Sequence, residues 1–260
     1  MDTMNHNRKA WDKKVENGSI YTKAASKEII EKSRLGDLQI TVTTERLVPR
    51  NWLPASLDGL KVLCLASGGG QQGPILAAAG AEVTVYDLSR KQLEQDEMVA
   101  KRDGLKIRTI QGDMSDLHVF EDEIFDLIVH PVSNVFVEDV RSVWKEAARV
   151  LKGKGVMISG FTNPLLFIFD DEEERKGNLS VNHSIPFSTL DGLSEEEIVE
   201  YTIKNETIEF GHTLEDQIQG QIDAGFIITG FYEDDLGGNR ILDKYIKTFV
   251  ATRAIKGKVE

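Results

Sequence analysis

From residue 59 onward, short apolar runs rich in β-branched residues alternate with longer segments of helical period. Five runs are nearly continuous in apolar character, as expected of strands buried on both faces of a sheet; they span residues 61–66, 82–87, 106–110, 125–130 and 155–160. In residues 137–151, apolar residues recur at three- and four-residue steps, which predicts a helix that packs on the sheet. The alternation predicts a parallel sheet flanked by helices.

The pattern changes after the fifth run, and residues 161–212 are interpreted as an insertion. This segment contains five consecutive acidic residues, 170–174. Adjacent like charges do not converge on one point, so we expect a solvated loop here and predict no metal site.

Helical periodicity resumes at Thr213, a capping residue with Asp216 three positions later. Leu214, Ile218 and Ile222 then form the predicted packing face of a helix. Two strand-like runs follow, residues 226–233 and 245–253, joined by a short polar loop. A loop of this length predicts an antiparallel hairpin that closes the sheet.

Residues 1–58 are predicted to form a helical and extended N-terminal lid. Its aromatic residues Trp11, Tyr21 and Trp52 are expected either to cover a ligand or to pack against the domain. The remaining divisions are a cofactor-binding core over residues 59–160, the insertion at 161–212 as a substrate cap, and a completion of the core over residues 213–260.

Charge and hydropathy restrict the class of partner. The chain has 31 basic and 43 acidic side chains, a net charge of −12, which opposes binding to a nucleic-acid backbone. Residues 1–10 are polar, and the most apolar stretch, residues 164–169, is far shorter than the ~20 residues that span a bilayer. We therefore expect a cytoplasmic protein without a nucleic-acid or membrane partner. Cys64 cannot form an internal disulfide and is expected to be a buried, inert thiol.

A glycine-rich turn follows the first predicted strand. Gly68, Gly69, Gly70 and Gly73 let the backbone approach a ligand near a helix N-terminus. The spacing Gly68-x-Gly70-x-x-Gly73 fits the dinucleotide fingerprint, with Asp87 at the end of the second strand as the acid for a ribose. This interpretation predicts an NAD(P)-dependent oxidoreductase.

Residues 62–70 also resemble motif I of class I S-adenosylmethionine-dependent methyltransferases. The resemblance implies S-adenosylmethionine as cofactor, with Ala66, Ser67, Gly68 and Gly70 at its methionine part. Asp87 and Leu88 would lie at the ribose, while Gly112, Asp113 and Met114, just beyond the third strand, resemble the adenine site of the family. His130, after the fourth strand, is expected to line the same pocket.

The implied fold is α/β, a Rossmann-like, mostly parallel seven-stranded sheet with an antiparallel C-terminal hairpin and helices on both faces. Residues 149–155 resemble the link from helix to fifth strand in that family, and the hairpin resembles its reversed seventh strand. Two positions depart from the family pattern, because Cys64 stands where an acid is usual and Ala66 where a glycine is usual.

Methyl transfer from a sulfonium is an in-line displacement that needs alignment more than a protein nucleophile. A general base is required only when the acceptor is protonated, and His212 and His183 are the candidates. The acidic charge favours a small-molecule acceptor. A nicotinamide-dependent oxidoreductase and a protein that binds S-adenosylmethionine without catalysis remain alternatives.

Overall fold

This computed structural model describes residues 2–257, which form a main sheet of seven strands and a separate pair of two strands. In chain order the strands are β1 (Lys61–Leu65), β2 (Glu82–Asp87), β3 (Ile107–Gln111), β4 (Phe125–His130), β5 (Leu151–Thr162), β6 (Phe187–Ser188), β7 (Phe210–Gly211), β8 (Phe226–Asp234) and β9 (Phe249–Lys256). The main sheet has the order β3-β2-β1-β4-β5-β9-β8, while β6 and β7 pair separately. Within the main sheet, β9 alone runs opposite to the other six strands and pairs antiparallel with β5 and β8. The predicted fold class is confirmed.

The helices among the described residues are α1 (Thr3–Glu16), α2 (Lys27–Arg34), α3 (Gln72–Ala78), α4 (Arg90–Asp103), α5 (Val140–Val150), α6 (Asp171–Arg175), α7 (Glu195–Lys204) and α8 (Gly220–Asp223). Helix α5 occupies the segment whose apolar period predicted it. Asp139 caps it, because its Oδ1 accepts the Arg141 N–H at 3.0 Å. No helix of the described residues has the length and apolarity to cross a membrane.

Alternate residues of the central strands β1, β2 and β4 enter different cores, which explains their continuous apolar character, whereas the edge strand β3 is only partly buried. Val62 and Cys64 point to the face covered by α2, α3 and α4. Leu63 and Leu65 point to the face covered by α5. Both faces of the central strands are therefore buried, while the edge strands β3 and β8 carry exposed residues.

The acidic run does not form the solvated loop that was predicted. Asp170 caps α6 by accepting the Glu173 N–H at 2.8 Å, and acidic residues fill the first turn. Negative charge at a helix N-terminus is favoured by the exposed amide groups there. Glu174 is buried and forms a bidentate ion pair with Arg240, which the local sequence did not reveal.

The helix predicted from Thr213 exists, but its packing face was predicted wrongly. Thr213 Oγ1 accepts the Asp216 N–H at 3.0 Å, as a cap should. Residues Glu215–Gln219 form a π-helical turn that leads into α8. Leu214 and Ile222 are exposed, whereas Gln217 and Gln221 are buried.

The buried glutamines are held by polar partners from other elements. Gln217 Oε1 lies 2.9 Å from Asn134 Nδ2, and Gln221 Oε1 accepts the Thr252 hydroxyl at 3.0 Å. Gln221 Nε2 also donates to Gln217 O at 2.8 Å, whereas Gln217 Nε2 has no hydrogen-bond partner among the described residues. The hydrogen bonds that are formed make the burial of the glutamines tolerable.

The N-terminal segment crosses the carboxyl ends of the parallel strands. Ile30, Ile40 and Val42 share the core of the β1 strand, and Val42 O accepts the Val132 N–H at 3.0 Å. Gly160 permits this crossing, since a Cβ there would lie 1.8 Å from Val42 O.

Candidate active site

A cavity of about 1600 Å³ opens at the carboxyl ends of the strands, beneath the N-terminal segment. Its walls include the turn after β1, the end of β2 and the turn after β4. Since the sheet order reverses between β1 and β4, the cavity lies at the topological switch point where open α/β sheets bind ligands.

The glycine turn is held from behind by two carboxylates. Asp87 Oδ2 accepts the Gly68 N–H at 2.8 Å. Asp96 on α4, which the sequence did not single out, accepts the N–H groups of Gly69 and Gly70 through Oδ2, both at 3.1 Å. A dinucleotide pyrophosphate needs such N–H groups free at the turn. Here they are occupied by acids, which argues against the oxidoreductase interpretation.

The glycines of the turn are required chiefly by the approach of α4. A Cβ on Gly68 would lie 2.7 Å from Gln92 Cβ, and one on Gly70 would lie 2.9 Å from Gln95 O. Gly69 and Gly70 also have positive φ, 110° and 72°. The turn is therefore packed on α4, with its other side facing the cavity.

Asp87 and Asp113 supply the acids at the ends of β2 and β3. Burial raises the pKa of Asp87 to about 6, and the backbone N–H groups of Ser89 and Gly68 oppose that rise. Asp113 Oδ1 accepts the backbone N–H and the hydroxyl of Ser115, both at 2.8 Å. Asp113 and the largely buried Met114 both line the cavity.

Seven of the ten residues predicted to contact the cofactor line the cavity, namely Ala66, Ser67, Gly68, Asp87, Leu88, Asp113 and Met114. Gly70 packs on α4 instead. Gly112 faces Tyr86, whose hydroxyl would lie 1.9 Å from an added Cβ. These two positions shape the walls from behind.

His130, the third residue outside the lining, is fully buried below the cavity. Its Nδ1 lies 2.9 Å from Leu65 O and its Nε2 lies 2.7 Å from Asn134 Oδ1. Burial lowers its pKa, so the neutral ring is favoured. His130 thus joins the end of β1 to the turn after β4.

The two departures from the family pattern have different structural consequences. Cys64 is buried, as predicted, and burial raises the pKa of its thiol, so it does not provide a charge. Ala66 adopts a left-handed conformation with φ of 46°, in which glycine is preferred. The acids that hold the turn are Asp87 at the end of β2 and Asp96 on α4.

The two histidines predicted as general bases, His212 and His183, lie outside the large cavity. His212 is buried next to a smaller pocket of about 390 Å³, and its Nε2 lies 2.9 Å from Asn134 O. Burial lowers the pKa of His212. His183 is exposed and packs edge-on against Phe187, with ring centroids 5.0 Å apart. Neither side chain lines the large cavity.

Two of the three N-terminal aromatic residues reach the cavity. Trp11 and Tyr21 line it, and Trp11 packs edge-on against Phe136 with ring centroids 5.2 Å apart. Trp52 is buried against Tyr232 instead. Ala25 donates its N–H to Gly70 O at 2.8 Å, which ties the N-terminal segment to the glycine turn.

The rest of the cavity wall was not predicted from sequence. One part of it, called the acceptor part here, is formed by residues from the end of β5, the insertion, the β8–β9 connection and the start of β9: Thr162, Leu166, Glu209, Leu236, Asn239, Arg240 and Phe249. These residues come from distant segments, and no local motif marks them.

Fold and site together define a class I methyltransferase, and comparison with known proteins agrees. Residues 63–159 match the methyltransferase domain family. The chain is 59% identical over 251 residues to the uncharacterized methyltransferase YbaJ of Bacillus subtilis, which covers 96% of this chain and 97% of that protein.

Solved structures show the same fold at low sequence identity. An S-adenosylmethionine-dependent methyltransferase from Mesorhizobium loti has a TM-score of 0.60 at 19% identity, covering 79% of this chain and 94% of that one. A second from Listeria monocytogenes has a TM-score of 0.59 at 17% identity, covering 88% of this chain and all of that one. The chain belongs to the S-adenosylmethionine-dependent methyltransferases, and its cofactor is S-adenosylmethionine.

Proposed function

We propose that the enzyme methylates a small-molecule acceptor bound in the acceptor part of the cavity. The main support for this proposal is the cavity volume of about 1600 Å³. A pocket for one small ligand is typically about 300–1,000 Å³, so this cavity has room for the cofactor and a second molecule.

The proposed cofactor site is Ala66, Ser67, Gly68, Gly70, Asp87, Leu88, Gly112, Asp113, Met114 and His130. S-adenosylmethionine supplies the activated methyl group when bound. We infer that Asp87 accepts hydrogen bonds from the ribose hydroxyls, that Asp113 accepts one from the adenine amino group, and that Met114 offers an apolar surface to the ring. Gly70, Gly112 and His130 hold the walls. The carboxylates near the turn suit a cationic sulfonium.

The chain then has to align the acceptor and exclude water. Trp11 and Tyr21 in the N-terminal segment are proposed to close the cavity over both ligands. The roles of His212 and His183 as general bases stay predictions. For His212 to reach the large cavity, Thr3 and Glu138, which line both pockets, would have to move.

Methyl transfer to a metabolite extract tests the proposal. Purified protein is incubated with labelled S-adenosylmethionine and the extract, and label is measured in small-molecule, protein and nucleic-acid fractions. We expect label in the small-molecule fraction, and less label with Asp87→Ala when S-adenosylmethionine is limiting. Label confined to macromolecules would overturn the small-molecule acceptor.

Thermal melting with S-adenosylmethionine, S-adenosylhomocysteine and NAD provides the binding control. Stabilisation by the first two without product in any fraction would favour a non-catalytic binding protein. The expected cytoplasmic location also remains a proposal, and fractionation of cells that express the tagged chain measures it.

A further inference from the structure

Glu209 is an acidic residue of the acceptor part that has no ion pair with any described residue. It directly precedes β7 and lines the cavity. Thr207 Oγ1 donates to its Oε1 at 3.2 Å. From the described part of the chain, no hydrogen bond to Oε2 is found, which leaves that oxygen available to a ligand.

The position of Glu209 is fixed by its backbone. Its N–H lies 2.6 Å from Thr189 Oγ1, and its carbonyl oxygen accepts the Thr189 N–H at 3.0 Å. The side chain is therefore presented from a braced strand end, as a preorganised binding group should be.

The nearby cations are engaged with other groups. Lys14 Nζ donates to Thr207 Oγ1 at 3.4 Å and lies 5.0 Å from the Trp11 ring centroid. Arg240 Nε donates to Glu174 Oε1 at 2.9 Å. Burial raises the pKa of Glu209, and the charge of Lys14 only partly opposes this. The Glu209 side chain is partly buried. A carboxylate with restricted access to water and no ion pair is costly, and a cationic ligand would compensate this cost.

The cavity wall has an excess of negative charge. Its acidic residues are Asp2, Glu45, Asp87, Asp113, Glu138, Asp139 and Glu209, and its basic residues are Lys14, Lys23 and Arg240. Such a wall attracts cations and repels carboxylate or phosphate acceptors.

We propose that the acceptor is an amine and that Glu209 binds its ammonium group and removes one proton. The inference rests on the proposed function. An N–H bond of the ammonium breaks and its proton passes to the Glu209 carboxylate. The freed nitrogen lone pair forms the bond to the methyl carbon as the carbon–sulfur bond breaks, and its electrons remain on sulfur. Glu209 later releases the proton to solvent.

Three probes with one skeleton test the recognition step. Binding of benzylamine, benzyl alcohol and benzoate to the full chain saturated with S-adenosylhomocysteine is measured by calorimetry. We expect benzylamine to bind more tightly than the alcohol, and benzoate to bind least. Glu209→Gln should weaken benzylamine binding by about tenfold, the loss expected for a charge-assisted hydrogen bond. The affinity for S-adenosylhomocysteine should stay unchanged.

Glu206→Gln is the matched control, because it removes a carboxylate from the same segment at an exposed position. It should leave the amine affinity at the wild-type value. Failure of benzylamine to bind better than benzoate, or equal amine affinity in wild type and Glu209→Gln, overturns the inference.

Transfer to the metabolite extract separates this inference from the proposed function. Labelled products should be retained by a cation exchanger and should fall at least tenfold with Glu209→Gln. Labelled small molecules found only in the unretained fraction would overturn the amine acceptor while leaving small-molecule methylation intact.

Discussion

Asp96 supports the cofactor turn from α4, and replacing it tests this support. The side chain is fully buried. Its Oδ2 accepts two turn N–H groups, whereas Oδ1 has no hydrogen-bond partner among the described residues. Asp96→Ala removes the acceptor, and Asp96→Asn keeps an acceptor oxygen but removes the charge.

The magnitude follows from the two hydrogen bonds. A buried donor left without a partner costs about 1–3 kcal/mol, so losing both acceptor contacts could cost about 2–6 kcal/mol. Gly69 N also donates to Gln92 O at 3.0 Å, and removal of a buried carboxylate recovers part of the loss. We expect a net loss of about 2–3 kcal/mol for Asp96→Ala, and less than about 1 kcal/mol for Asp96→Asn.

Calorimetric melting and titration with S-adenosylhomocysteine measure both effects. Asp96→Ala should melt about 4–12 °C lower, at about 2–4 °C per kcal/mol for a chain of this size, and bind the ligand more weakly. Glu94→Ala, exposed on the same helix, should change little. An Asp96→Ala variant that melts and binds as the wild type does would refute the reasoning, and equal losses in both Asp96 variants would show that charge, not hydrogen-bond acceptance, matters.

The pH dependence of stability provides a second test of Asp96. Burial raises the pKa of Asp96 above its unfolded value, so folding takes up a proton in the window between the two values. The wild type should therefore lose stability relative to Asp96→Asn as the pH rises through that window. The opposite slope would contradict a raised pKa.

Three further predictions follow from other residues. Ala66→Gly should raise the melting temperature or leave it unchanged, because relief of a left-handed alanine, about 1–2 kcal/mol, offsets the greater chain entropy of glycine; Ala147→Gly inside α5 should instead cost about 1 kcal/mol. Asp87→Ala should weaken cofactor affinity by about 1–3 kcal/mol. Because burial raises the Asp87 pKa to about 6, wild-type affinity should fall as the pH drops through about 6, whereas the variant should show no such fall. Trp52→Ala should destabilise the protein by about 3–5 kcal/mol without changing ligand affinity in the folded fraction. Trp11→Ala should weaken ligand binding and have a smaller effect on stability. Equal effects of the two substitutions on binding would contradict these placements.

The parallel strands were predictable because burial on both faces leaves a local trace, the nearly continuous apolar run. The hairpin β8–β9 was predictable for a similar reason, although β9 begins at Phe249 rather than at residue 245. Asp87 was recognised as the acid that ends the second strand. Asp113 was recognised from the resemblance of residues 112–114 to the adenine site of the methyltransferase family. Each of these predictions depended only on neighbours along the chain.

The missed features depend on groups far apart in sequence. Asp96 is 27 residues from Gly69, and only the packing of α4 brings them together. Gln217 and Gln221 face inward because Asn134 and Thr252 offer them hydrogen bonds, so apolar periodicity favoured the wrong face. Glu209 reaches the cavity through the fold of the insertion, which has no recognisable motif.

The place of β9 between β5 and β8 has a consequence for synthesis on the ribosome. Strand β8 emerges before β9, yet in the finished sheet it pairs with β9 and not with β5. Until β9 is released, the edges of β5 and β8 both present unpaired backbone groups, and such edges recruit other chains. Newly made chains should accordingly be most prone to aggregation, and most dependent on chaperones, during the interval between these two strands.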